Sequence, residues 1–447
     1  MVAADGAGGE IDAVSESDEQ ATAGTGPDQA PGLRRELGLR DAVGIGFGAI
    51  VGAGIFVVTG LAAGIAGPAL LLALPLAAVA AAANALGSAQ LAAEYPHAGG
   101  TYEYGYRVLH PWAGFAAGWM FLASKTAAAG TVGLGIAAYL ERIAPGLPGR
   151  AVALAAIVLF TAVNALGVRK SSTVNLGIVA VSTLSLLAFA AVGLMRFDAA
   201  NLRPFAPAGA GGVPRAAALL FFAYTGYARV ATLGEEVRDP RRTIPRAILV
   251  TVAGVSVLYL LVAVAAVGGA GTAVLARTGA PLAEAARAMR VRALEPAVAA
   301  GAVCAMLGVL LSQLLGLSRM VFAMARRGDL PAALADVNAR SGAPVRAVLL
   351  VGAGAALAAE FGTLAAIVPA ASFAILLYYA VANLAALRMP RHARLYPSAV
   401  PATGLAACLG LAASLAPRTV GLGVAVLAAG FAVRAAVRAL ARPARGD

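Results

Sequence analysis

Three histidines and two cysteines are all that 447 residues hold of the side chains most used for metal and nucleophilic chemistry. His97, His110 and His392 are scattered over connecting segments without ligand spacing, and HExxH, GxSxG and Asp-rich pairs are absent. Cys304 and Cys408 lie apart inside apolar runs, where isolated thiols read as small apolar packers. No Asp or Glu falls in the middle of any apolar run, so a carboxylate-based cation site is not expected. A membrane-embedded transferase would need acid, base or metal groups at the interface, and this chain offers none in a working pattern. Neither a metal nor a cofactor is predicted. Charge itself is scarce, at 13% of residues against 60% hydrophobic.

Apolar runs of about 20 residues, the length that crosses a bilayer as helix, recur from Asp41 almost to the C-terminus. They predict an all-α polytopic membrane protein. Twelve spans are expected, at 41–64, 67–92, 112–140, 151–168, 174–195, 213–233, 246–268, 293–325, 346–360, 363–387, 399–416 and 419–436. An even number puts both termini on one side. Lys and Arg gather on the loops of the N-terminal side, above all "GEEVRDPRRTIPR" (234–246) and "RRGDLPAALADVNARSGAPVR" (326–346). The positive-inside rule then sets both termini in the cytoplasm of a cell whose inner membrane the protein crosses. The net charge of +12 is accounted for by topology, and no nucleic-acid partner is needed.

Residues 1–32 carry seven acidic residues, no Lys or Arg and no apolar periodicity, which predicts a disordered cytoplasmic tail. They lack the basic and apolar regions of a signal peptide, so the first span is expected to direct its own insertion. A transporter-like domain follows over 33–440, and 441–447 form a short cytoplasmic tail. The segment "EYPHAGGTYEYGYRVLHP" (94–111) is amphipathic and expected along the cytoplasmic surface. "LARTGAPLAEAARAMRVRALEP" (275–296) reads either as a short outer helix capping a vestibule or as a solvated connector.

The first span contains "GFGAIVGAGIFVVTG" (46–60), with five glycines in fifteen residues. Gly44, Gly48 and Gly52 have the i,i+4 spacing by which membrane helices pack closely. Alternatively, the helix unwinds around Gly52–Gly54, exposing N–H groups that suit a carboxylate and carbonyls that suit an ammonium. A phosphate-binding loop is excluded, because no strand precedes the glycines and no Lys follows. The sixth span carries a matching glycine, Gly226, in "FFAYTGYAR" (221–229), five spans later. Five is odd, so residues 41–196 and 213–388 are predicted to be inverted copies, and paired interruptions in two halves point to a transporter's binding site. The pairing favours unwinding over packing alone.

These motifs carry a resemblance. "GFGAIVGAGIFVVTG" resembles the first span of the amino acid-polyamine-organocation permeases, and "FFAYTGYARVATLGEEVRDPRRTIPRAI" (221–248) is similar to their sixth span and its cytoplasmic exit. "SRMVFAMARRGDLP" (318–331) and "GAPVRAV" (342–348) resemble the end of their eighth span and the start of their ninth. The resemblance implies the fold of the bacterial leucine transporter, five plus five inverted spans with two more over 399–436, and spans one and six interrupted. It implies secondary transport of an amino acid by alternating access, driven by a proton or sodium ion. Ile50, Ala53 and Gly54 would hold the substrate carboxylate, with Gly52 permitting the break. Phe222, Ala223 and Thr225 would offer carbonyls to the amine, with Gly226 permitting the second break.

Two positions depart from that pattern. Ser182 stands where many proton-coupled relatives have a lysine in the fifth span, and Arg229 stands where an acidic or small polar residue is common. Ionisable residues inside a span are functional candidates because burying them costs at least about 2.5 kcal/mol. Lys125, deep in the third span, is either a titrating group or a static partner of broken-helix carbonyls. Arg229 is a candidate for pairing with substrate or gate, against a structural role. Arg319 is expected in a gating or loop-anchoring ion pair, with Glu235 or Glu236 available. The missing acids favour neutral or anionic substrates over cationic ones. A non-transporting sensor or subunit of the same fold is the alternative.

Overall fold

The computed structural model describes residues 37–95, 99–167, 172–231 and 237–440. The expected tails over 1–32 and 441–447, and His97, Glu235 and Glu236, lie outside them. Among the described residues there is no strand, only one bridged pair, Leu37 with Val237. The helices are α1 (Leu39–Ile50), a π-helical turn (Gly54–Val58) running into α2 (Thr59–Ala66), α3 (Leu70–Glu94) and α4 (Thr101–Tyr104). Then come α5 (Pro111–Ile143), α6 (Gly149–Ala165), α7 (Ser172–Met195), α8 (Gly212–Phe221), a 3-10 stretch (Phe222–Tyr227) and α9 (Ala228–Ala231). The remainder is α10 (Pro240–Ala270), α11 (Thr272–Leu275), α12 (Pro281–Ala288), α13 (Leu294–Arg326), α14 (Val345–Phe361), α15 (Leu364–Arg388), α16 (Ala399–Ser414) and α17 (Pro417–Leu440).

Proline opens α5, α10 and α12, where its missing N–H costs nothing and its fixed φ suits the first turn. Among the described residues, seven helical runs are long and apolar enough to cross a membrane, and α6 and α16 are shorter apolar helices. Alanine dominates the buried faces, so helix axes come close: α5 packs on α13 and α15, and α10 on α3 and α7. Large apolar side chains such as Leu72, Val158, Leu176, Leu184, Leu357 and Leu409 are turned outward instead. That distribution suits a surface solvated by lipid tails. Cys408 is buried and accepts a hydrogen bond from Asn84 Nδ2 at 3.2 Å, while Cys304 is partly exposed.

Part of the segment expected along the cytoplasmic surface is packed against the helices, while Arg107 and His110 stay exposed. Tyr102, Glu103 and Tyr104 are buried, and the polar tips of Tyr102 and Glu103 find partners there. Tyr102 and Tyr106 donate their hydroxyls to Asp329, the first at 2.8 Å. Asp329 is fully buried just beyond α13 and also accepts from Arg434 Nε at 2.8 Å and Arg438 Nη2 at 3.1 Å, both on α17. The Arg434 guanidinium, 2% exposed, lies over the rings of Phe115, Trp112 and Tyr106 at 4.9, 5.2 and 5.8 Å. Glu103 pairs with both Arg107 and Arg327. Burial and the hydrogen bond to Asp329 push the Tyr106 hydroxyl up to about 12, so it remains a donor throughout the physiological range.

The 275–296 segment is helical and packed. Leu282, Ala283, Ala285 and Ala286 of α12 are buried, and Glu284 pairs with Arg142 of α5 and Arg287. Tyr139 joins α12 to the first span: its hydroxyl donates to Phe56 O at 2.5 Å and accepts from Leu282 N at 3.2 Å.

Candidate functional site

The first span breaks at Val51, whose backbone is extended (φ −72°, ψ 106°). A β-branched residue is comfortable there. Beyond the break the chain rewinds with a wide π turn from Gly54. In the other interrupted segment, α8 tightens at Phe222 into six residues of 3-10 helix before relaxing into α9. Such a change of pitch frees or redirects backbone groups without a complete break.

The two irregular stretches cross each other backbone to backbone. A β-carbon on Gly54 would stand 2.5 Å from Ala223 Cβ and closer still to its Cα. One on Gly226 would stand 2.7 Å from Ile50 N and would collide with the Ala49 carbonyl. Neither glycine has a positive φ. Both are needed for space rather than for an unusual dihedral, and the non-helical residues of the first break are Val51 and Gly52, the glycine expected to permit it. Gly52 is a milder case, facing the end of the Val309 side chain at 2.8 Å. Gly48 packs against Val179 at 2.7 Å, but Gly44 has no neighbour within 4 Å, so the packing role expected for Gly44 is not met.

A cavity of about 40 Å³ lies at this crossing, with space for about three water molecules. Ile50, Gly52, Ala53, Gly54, Phe222, Ala223, Thr225 and Gly226 all line it, and so does Lys125. The Lys125 ammonium donates to Thr225 Oγ1 at 2.9 Å, and Thr225 in turn donates to Phe222 O at 2.9 Å. The other candidates lie elsewhere. Ser182 is buried in α7 and donates to Ile178 O at 2.8 Å within its own helix. Arg319 is exposed and forms no ion pair among the described residues. Arg229 sits on α9, with its side chain outside what the structure describes.

Several contributors carry no pattern in the sequence. Ala128 and Val132, three and seven residues after Lys125, share its helix face, and Val309 and Gln313 come from α13. Tyr259 of α10, fully buried, donates its hydroxyl to Ile50 O at 3.0 Å and lies 3.4 Å from Ala223 O. It thereby ties together the carbonyls of the two irregular stretches. Its only sequence signal is a tyrosine in the middle of an apolar run. Tyr259→Phe is expected to leave both carbonyls without that donor and weaken substrate binding about tenfold, or about 1.4 kcal/mol, read as the concentration for half-maximal uptake.

The sequence profile of the amino acid permease family matches residues 41–438. The chain is 45% identical over 415 residues to an uncharacterized transporter of Mycobacterium tuberculosis, covering 92% of this chain and 93% of the relative. It is 32% identical to a branched-chain amino acid permease of Bacillus subtilis, covering 73% of this chain and 74% of the relative. It is also 34% identical to a methylthioribose transporter of Bacillus subtilis, covering 75% and 77%. Family and relatives span the crossing, the cavity and the helices around them, and the chain belongs to the amino acid permease family: an integral membrane transporter, not an enzyme.

Proposed function

We propose that the protein carries an α-amino acid across the cytoplasmic membrane by alternating access, with both termini in the cytoplasm. One observation carries this reading: two irregular helical stretches, from segments five spans apart, cross backbone to backbone around one cavity. Main-chain N–H groups at the start of the rewound first span suit the substrate carboxylate, and the carbonyls of the 3-10 stretch suit its amine. Irregular backbone at this depth is tolerated where it lines a cavity. Alternating access requires the crossing to open and close around the substrate.

The run Leu39–Glu94, at 56 residues, is long enough for two passes of about 20 residues each. This supports twelve spans, arranged as inverted copies over 41–196 and 213–388 with α16 and α17 appended. Lys125 is the coupling or gating candidate that reaches the cavity; Ser182 does not line it. The reading is tested by uptake of a labelled amino-acid panel into proteoliposomes, with proton and sodium gradients imposed separately. Uptake of at least one amino acid, dependent on one gradient or on exchange, is the expected outcome. Failure of every amino acid to enter or bind would leave a non-transporting member of the family.

A further inference from the structure

Among the described residues that line the cavity, Lys125 alone is charged. Its ammonium has three donors, and the structure gives it a single acceptor, Thr225 Oγ1 at 2.9 Å. That hydroxyl spends its own hydrogen on Phe222 O, so it meets Lys125 purely as an acceptor. No carboxylate of the described residues forms an ion pair with Lys125. The position of the cation is also fixed from behind: Gln313 Nε2 donates to the Lys125 carbonyl at 2.7 Å, pinning this turn of α5 to α13. On the same face, Ala128 and Val132 leave only small side chains between the lysine and the crossing.

We infer that Lys125 selects the substrate, and that the transporter takes amino acids whose side chain ends in a carboxylate, the aspartate and glutamate class. This rests on the amino-acid transport proposed above. A substrate with a neutral side chain has no net charge and leaves this partly buried cation unbalanced. One with a cationic side chain adds a like charge, which is a strong device for rejecting a wrong ligand. A dicarboxylic amino acid brings one net negative charge. With its α-carboxylate on the rewound first span, its second carboxylate meets the two unused N–H donors of Lys125, and the loaded site becomes neutral. Charge-assisted bonds of this kind are the strong ones in a site from which water is excluded.

The test uses the full chain in proteoliposomes, with labelled L-glutamate and L-aspartate against L-leucine and L-arginine as competitors. The acidic pair is expected to compete at concentrations about tenfold or more below leucine and arginine. Lys125→Gln is expected to lose that preference by about tenfold or more, and Lys125→Arg to keep it. The unfolding midpoint in detergent shows that each variant is folded. An unchanged order of competitors in folded Lys125→Gln overturns the inference. So does a wild-type protein that takes up leucine or arginine in preference to both acids, which leaves amino-acid transport itself intact. A flattened pH profile in Lys125→Gln with unaltered selectivity overturns it too, and assigns Lys125 to proton coupling. Absence of uptake for all four, and for the wider panel, removes the transport reading along with it.

Discussion

Gly226→Ala abolishes uptake, by about 100-fold or more, in protein that still inserts and unfolds cooperatively; that is the expected result. The added methyl has nowhere to go. It meets the Ala49 carbonyl and Ile50 N, which are backbone atoms and cannot rotate aside. The two irregular stretches must part, which misplaces every main-chain group facing the cavity. Gly54→Ala meets the Cα and Cβ of Ala223 and is expected to be equally severe. Gly52→Ala faces only the tip of Val309, so a rotamer change absorbs it and the loss is partial. Gly44→Ala enters open space and gains helix propensity, so uptake is unchanged and stability holds or rises by up to about 1 kcal/mol. The series is read by uptake alongside unfolding midpoints in detergent. Equal damage at Gly44 and Gly226 would mean that the crossing has no special role.

Asp329→Asn is expected to cost about 3–5 kcal/mol of stability, the largest loss of any single change outside the crossing. Its carboxylate balances Arg434, which is 2% exposed and held among three aromatic rings. Neutralising the acid strands that guanidinium in a site from which water is excluded. Removing both charges, as Asp329→Asn with Arg434→Met, is expected to restore most of the loss, because the cost lies in the unpaired charge and not in the missing pair. Arg438→Gln, on an arginine half exposed to solvent, should cost at most about 1 kcal/mol. Unfolding midpoints of the four proteins in one detergent check this ordering. A double variant no better than Asp329→Asn alone would contradict it.

Much of the site was legible in the sequence, though partly for the wrong reason. The glycines of the α1–α2 and α8–α9 segments mark where the two cross, and all eight residues proposed for the substrate line the cavity. The unwinding falls at Val51 and Gly52, while Gly54 and Gly226 supply the room for another backbone. Periodicity told where helices lie but not which face meets which neighbour, so Gly44 passed for a packing residue. Tyr259 and Gln313 could not be found, because one polar residue in an apolar run has no partner visible along the chain. The ion pairs suffered in the same way. Arg319 was expected to pair with Glu235 or Glu236, which lie outside the described residues; it is exposed, and a buried pair joins Asp329 to Arg434, 105 residues away.

The Asp329 cluster also joins segments that are far apart along the chain. Its tyrosines are made before α5, its acid after α13, and its balancing arginine only in α17. A chain released anywhere before Arg434 holds a carboxylate with two hydroxyl donors and no α17 cation beside it. Burying that carboxylate without its balancing cation is costly, so the packing of the segment after α13 is expected to depend on α17. One carboxylate thus couples the far end of α13 to α17, so a change in either is felt by the other.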